Sequence, residues 1–96
     1  MPIPEEYEGR PHGMRGTLPL IGTLAIWMFR KLWRNRHKRH WLTLSEKFLA
    51  DRLAAEYQEF LLSPTWDEAA DLANLAAMCA DHRARSKAAL AAGEET

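Results

Sequence analysis

The sequence predicts an all-α fold: a small helical bundle built on a central antiparallel helix hairpin and completed by oligomerisation. Three observations predict it. Apolar residues recur with a 3.6-residue period in three successive stretches. No stretch shows strand alternation, a β-hairpin turn signal or an internal repeat. The third stretch is apolar on most of its sides, which places it centrally and leaves surface for neighbouring subunits to cover.

Residues 1–17 contain Pro2, Pro4, Pro11, Gly9, Gly13 and Gly16, a density of helix and strand breakers that predicts a flexible arm. From about Pro19 to Arg36, Leu20, Leu24, Trp27, Met28, Leu32 and Trp33 keep helical spacing, and proline suits a first turn. The apolar run Leu18 to Phe29 is about 12 residues, against the ~20 that span a bilayer. It contains Pro19 and Gly22, and Arg30-Lys31 follows where a signal peptide would have small residues, so a core helix is the better reading and no stable membrane insertion is expected. A basic stretch leads to Trp41 and a second helical pattern, Leu44, Phe48, Leu49, Leu53, Tyr57, Phe60 and Leu61, which Ser63-Pro64 stops. Thr65 suits the N-cap of a third helix, with Glu68 at the capping-box position, and Leu72, Leu75, Met78 and Cys79 mark its apolar face. Gly93 is expected to end it, so the domain reads as 18–92 with a tail at 93–96.

Composition bounds the function. At 96 residues the chain is one domain and buries only about 60 to 65% of its unfolded surface. It is 47% hydrophobic and 27% charged, which argues against disorder. Basic and acidic residues balance at 13 each, so no global field draws it to nucleic acid, and that partner is not expected. The lone Cys79 cannot form an intrachain disulfide, which fits a reducing, cytoplasmic location, and it reads as an inert buried thiol. His82 reads as a surface residue.

The chemistry is concentrated in the hairpin. Glu56 and Glu59 are spaced E-x-x-E on the second helix; Glu68 and Asp71 are spaced E-x-x-D on the third. Each pair shares a helix face. The two pairs are also symmetric about Ser63-Pro64, so in an antiparallel hairpin Glu59 is expected level with Glu68, and Glu56 level with Asp71. Glu68 and Asp71 fall within the apolar arc of their helix. Carboxylates gathered on a buried face need cations or protons, and Mg²⁺, a hard ion that takes oxygen ligands, answers that need. The blander alternative has Glu68 capping its helix, Glu59 solvated, and Arg52 or Lys47 pairing with the others.

His37, Lys38, Arg39, His40 and Trp41 form a basic and aromatic cluster. It offers charge compensation for phosphates and a stacking face for a base, or else it is a solvated loop with Trp41 anchoring the core. Arg30, Lys31, Arg34 and Arg36 read as a solvated helix face. Trp27, Met28, Phe29 and Trp33 read as core or subunit interface.

Taken in order, Asn35-Arg36-His37-Lys38, Trp41, Arg52 to Glu59 and Glu68 to Asp81 resemble the MazG-like nucleoside triphosphate pyrophosphohydrolases, particularly the short members found in phage genomes. The resemblance spans Asn35 to Asp81. It implies a Mg²⁺ site of Glu56, Glu59, Glu68 and Asp71, a substrate contact from Asn74, and release of pyrophosphate from nucleoside triphosphates by attack of an activated water. It also implies a homo-oligomer, a dimer or tetramer of helical protomers. With it the basic cluster becomes the nucleotide contact, through His37, Lys38 and Trp41. The competing class is a non-catalytic helical protein that docks on nucleic acid or an anionic membrane surface through residues 30–40.

Overall fold

The computed structural model describes residues 15–94. Three helices form: α1 (Thr17–Arg34), α2 (Glu46–Leu62) and α3 (Trp66–Glu94), with a 3₁₀ turn at Trp41–Thr43 before α2. No strand occurs among the described residues, so the all-α expectation holds. At 29 residues α3 is about 43 Å long, long enough to carry both shorter helices. α1 and α2 each pack on it, which gives the third helix the central position its all-round apolarity predicted.

Local chemistry sets the helix ends. The Ser45 hydroxyl accepts from the Phe48 amide at 3.0 Å and starts α2, an N-cap in the usual sense. The Thr65 hydroxyl accepts from the Glu68 amide at 3.2 Å and starts α3. The reciprocal half of a capping box does not form, because the Thr65 amide donates to Ser63 O at 2.8 Å instead. That leaves the Glu68 carboxyl to point elsewhere.

Several boundaries differ from the sequence expectation. The predicted arm lies outside the described residues over 1–14, and Thr17 already belongs to α1. α1 stops at Arg34, where the Asn35 amide caps Lys31 O at 3.1 Å and the Arg36 guanidinium folds back over the Trp33 ring, 4.3 Å from its centroid. Gly93 sits within α3 rather than ending it. A helical glycine costs only ~1 kcal/mol relative to alanine, and the alanine-rich turn before it keeps the helix propagating; residues 95–96 of the predicted tail lie outside the described residues.

The hydrophobic core is small. Among the described residues only Leu49 and Ala70 are buried apolar side chains, and α1 buries none. Polar ties therefore hold much of the packing. Asn74 Nδ2 donates to Met28 O at 3.2 Å between α3 and α1. Trp41 Nε1 donates to Asp81 Oδ2 at 2.9 Å, a bond that with Arg85 holds the Asp81 carboxyl below its usual range. His82, expected at the surface, is half-buried with Nε2 2.9 Å from Leu44 O, because its position on α3 faces the segment leading into α2. Cys79 is half-buried. None of the described helices is long and apolar enough to cross a membrane.

Candidate metal centre

The hairpin brings three carboxylates together. Glu56 from α2 and Glu68 and Asp71 from α3 each offer an oxygen, and these oxygens lie within 4.8 Å of one another. Oxygens around one Mg²⁺ at ~2.1 Å are roughly 3 to 4.2 Å apart, so small side-chain adjustments close the set. Glu56 is 5% exposed, yet its Oε2 has no hydrogen-bond partner, and neither has the buried Glu68 Oε2. Two glutamates that meet from different helices thus each carry an orphaned acceptor, a need that a divalent cation would satisfy, and the all-oxygen donor set suits Mg²⁺.

The electrostatics agree with that geometry. Burial, then the neighbouring Glu59 carboxyl, then the charge of Asp71 push Glu56 up to about 6. Arg52 opposes this, its guanidinium 2.7 Å from Glu56 Oε1, and does not overcome it. Arg52 is thus the pairing partner that the blander alternative offered, but it occupies only one oxygen. Lys47 pairs with Asp51 at 2.8 Å and takes no part.

The expected square is instead a triangle. Glu59 stands beside Glu56 but is exposed and outside the set of meeting oxygens. Three residues on a helix is about 300°, so when Glu56 faces α3 squarely, Glu59 is turned ~60° toward solvent.

Sequence reasoning missed Lys31. It was expected on a solvated face, yet its side chain is 12% exposed, with Nζ 3.0 Å from Asp67 Oδ2 and 3.2 Å from Asp71 Oδ2. Burial acts to lower its pKa, but the bonds to both aspartates outweigh it, and the net shift is upward. A signal was available: Lys31 follows Trp27 and Met28 at helical spacing, on the face of α1 that meets α3.

A cleft of about 800 Å³ opens beside the triangle, within the range of small-molecule sites. Glu56, Asp71, Asn74, Trp41, Lys38 and Arg39 contribute to its wall. Glu68 is not part of that wall. Of the residues predicted to meet a nucleotide, Lys38, Trp41 and Asn74 are there, while His37 is exposed in the loop and not part of the wall. Trp41 carries the His40 ring stacked at 3.8 Å, and Asn74 is buried with its amide nitrogen committed to Met28. No known family, characterised protein or solved structure matches the chain.

Proposed function

We propose that this protein is a Mg²⁺-dependent nucleoside triphosphate pyrophosphohydrolase acting on ribo- or deoxyribonucleoside triphosphates. The observation that carries it is the meeting of Glu56, Glu68 and Asp71 beside a nucleotide-sized cleft, with one buried oxygen of each glutamate left unpartnered. The resemblance of Asn35 to Asp81 to MazG-like enzymes supplies the reaction class.

Glu56, Glu68 and Asp71 would hold Mg²⁺, which when bound supplies charge compensation and lowers the pKa of water. Glu59, exposed next to Glu56, orients the attacking water and takes up its proton. Water adds at the α-phosphorus, the α–β anhydride bond breaks, and nucleoside monophosphate and pyrophosphate leave. Lys38 and Arg39 compensate phosphate charge, Trp41 offers a ring face to the base, and the Asn74 carbonyl is left to contact the substrate.

The partner is a second copy of the chain. Leu18, Ile21, Ile26, Phe29 and Trp33 on α1 are each more than half exposed, and a core of two buried apolar side chains is too small to offset the entropy of ordering the chain. Their burial in a homo-oligomer accounts for both facts. The lone cysteine fits the cytosol.

The test is pyrophosphate release from a panel of nucleoside triphosphates, with and without Mg²⁺, by wild type and Glu56→Gln. Release should require Mg²⁺ and fall at least ~100-fold in the variant, since even supporting groups around a metal contribute 10- to 100-fold. If wild type releases nothing from any nucleotide, the enzyme reading is lost. Steeply salt-dependent, Mg²⁺-independent binding to nucleic acid or anionic vesicles would then favour a docking role for residues 30–40.

A further inference from the structure

We propose that Lys31 is the resident counter-cation of the carboxylate site, and that a divalent ion must take Asp71 from it in order to bind. The proposal rests on the metal reading above and adds a residue to it that the E-x-x-E and E-x-x-D motifs do not contain.

Asp71 has two claimants. It contributes an oxygen to the triangle with Glu56 and Glu68, and Oδ2 also lies 3.2 Å from Lys31 Nζ. The ammonium reaches across from α1, nearly buried, and is shared with Asp67 at 3.0 Å. It leaves Glu56 Oε2 and Glu68 Oε2 without partners. Arg52 cannot supply the missing charge, since it is engaged on the other oxygen of Glu56.

A divalent ion sitting ~2.1 Å from its ligands can serve all three carboxylates at once. An ammonium, making hydrogen bonds near 3 Å from one edge of the cluster, cannot. Lys31 and the ion repel, so Asp71 turns to one or the other. Asp67 is the part of the arrangement that makes exchange feasible, because it holds the Lys31 charge when Asp71 leaves and avoids stranding a buried ammonium. Lys31 is therefore a positioning residue: it keeps Asp71 in place in the metal-free protein and sets the threshold for metal entry. The exchange also removes one of the polar ties between α1 and α3.

Calorimetric titration of Mg²⁺ and Mn²⁺ into wild type, Lys31→Met and Lys31→Arg tests this, with circular dichroism melting in chelator confirming that each is folded. Lys31→Gln replaces Lys31→Met should the latter not fold. Removing the charge should tighten metal binding about tenfold, the order appropriate to one unit charge a few ångströms away in partly solvated surroundings. Lys31→Arg, which retains the charge, should stay within about threefold of wild type. A purely structural role for Lys31 predicts the opposite sign, weaker binding in Lys31→Met. Equal or weaker binding in that variant overturns the proposal, as does equal tightening in Lys31→Arg. Absence of binding in wild type overturns the metal site itself, a failure distinct from that of Lys31.

Discussion

The inner wall of the α2–α3 hairpin and the outer face of α1 are inverted in opposite senses. The hairpin buries charge: Glu56 is almost wholly enclosed and one of its oxygens has no partner. α1 exposes hydrocarbon: Phe29 is 66% and Leu18 62% exposed. A self-sufficient domain does neither, because buried unpaired carboxylates and large exposed apolar faces are both costly. On the function proposed above, each region would be completed by something from outside the chain, a cation for the first and another subunit for the second. The difference teaches that one small protein can leave two separate deficits, each matched to a different ligand by its chemistry.

The strongest way to break that comparison is to make the outer face polar. Ile26→Asp with Phe29→Asp should dissociate the proposed homo-oligomer to monomers in sedimentation velocity runs, since burying each such side chain contributes roughly 1.5 to 3 kcal/mol. A wild type that already sediments as a monomer would show that α1 has no partner of its own kind.

Glu56→Gln sharpens the other side. Here the sign follows from linkage: the folded pKa of about 6 exceeds the ordinary carboxyl value of 4.5, so between those values the native state binds more protons than the unfolded one. The metal-free protein should therefore lose stability from this group as pH rises through that window, the reverse of an ordinary ion-paired carboxylate. At pH 7 the neutral Gln should raise metal-free stability by ~1 to 2 kcal/mol, an advantage that fades below about pH 4.5. It should also abolish stabilisation by Mg²⁺. Chemical denaturation at pH 4 and pH 7, with and without metal, measures all three; a destabilised variant at pH 7 would mean Arg52 already satisfies Glu56.

The smallest effect belongs to the joint between helices. Thr65→Ala should cost about 1 kcal/mol by removing the cap on α3 while leaving metal affinity within a few-fold, read by urea melts and calorimetry. A large loss of affinity would mean that the cap sets the positions of Glu68 and Asp71.

The helix content was legible because it depends on near neighbours. Ser63-Pro64 and Thr65 mark the hairpin's turn through proline geometry and capping, and helical spacing places Glu68 and Asp71 on the face that meets α2, whereas the Ser45 cap that starts α2 emerged only in the structure. The end at Gly93 was misread because a local breaker competes with the propensity of the turn around it, and here it loses by a small margin. His37 was grouped with Lys38 by adjacency in the chain, but neighbouring loop residues point different ways.

What the sequence determined by itself is therefore the all-α class, the hairpin, and the four acids that belong to it, all consequences of period, caps and turns within a few residues. Only the tertiary structure decided that three of those acids meet while Glu59 turns outward, that Lys31 reaches Asp67, 36 residues distant in the chain, and Asp71 beyond it, and that the outer face of α1 is left uncovered. These depend on how far each helix is rotated about its axis when it packs on α3. A rotation of some tens of degrees is enough to carry a side chain from the cluster into solvent, and no local pattern specifies it.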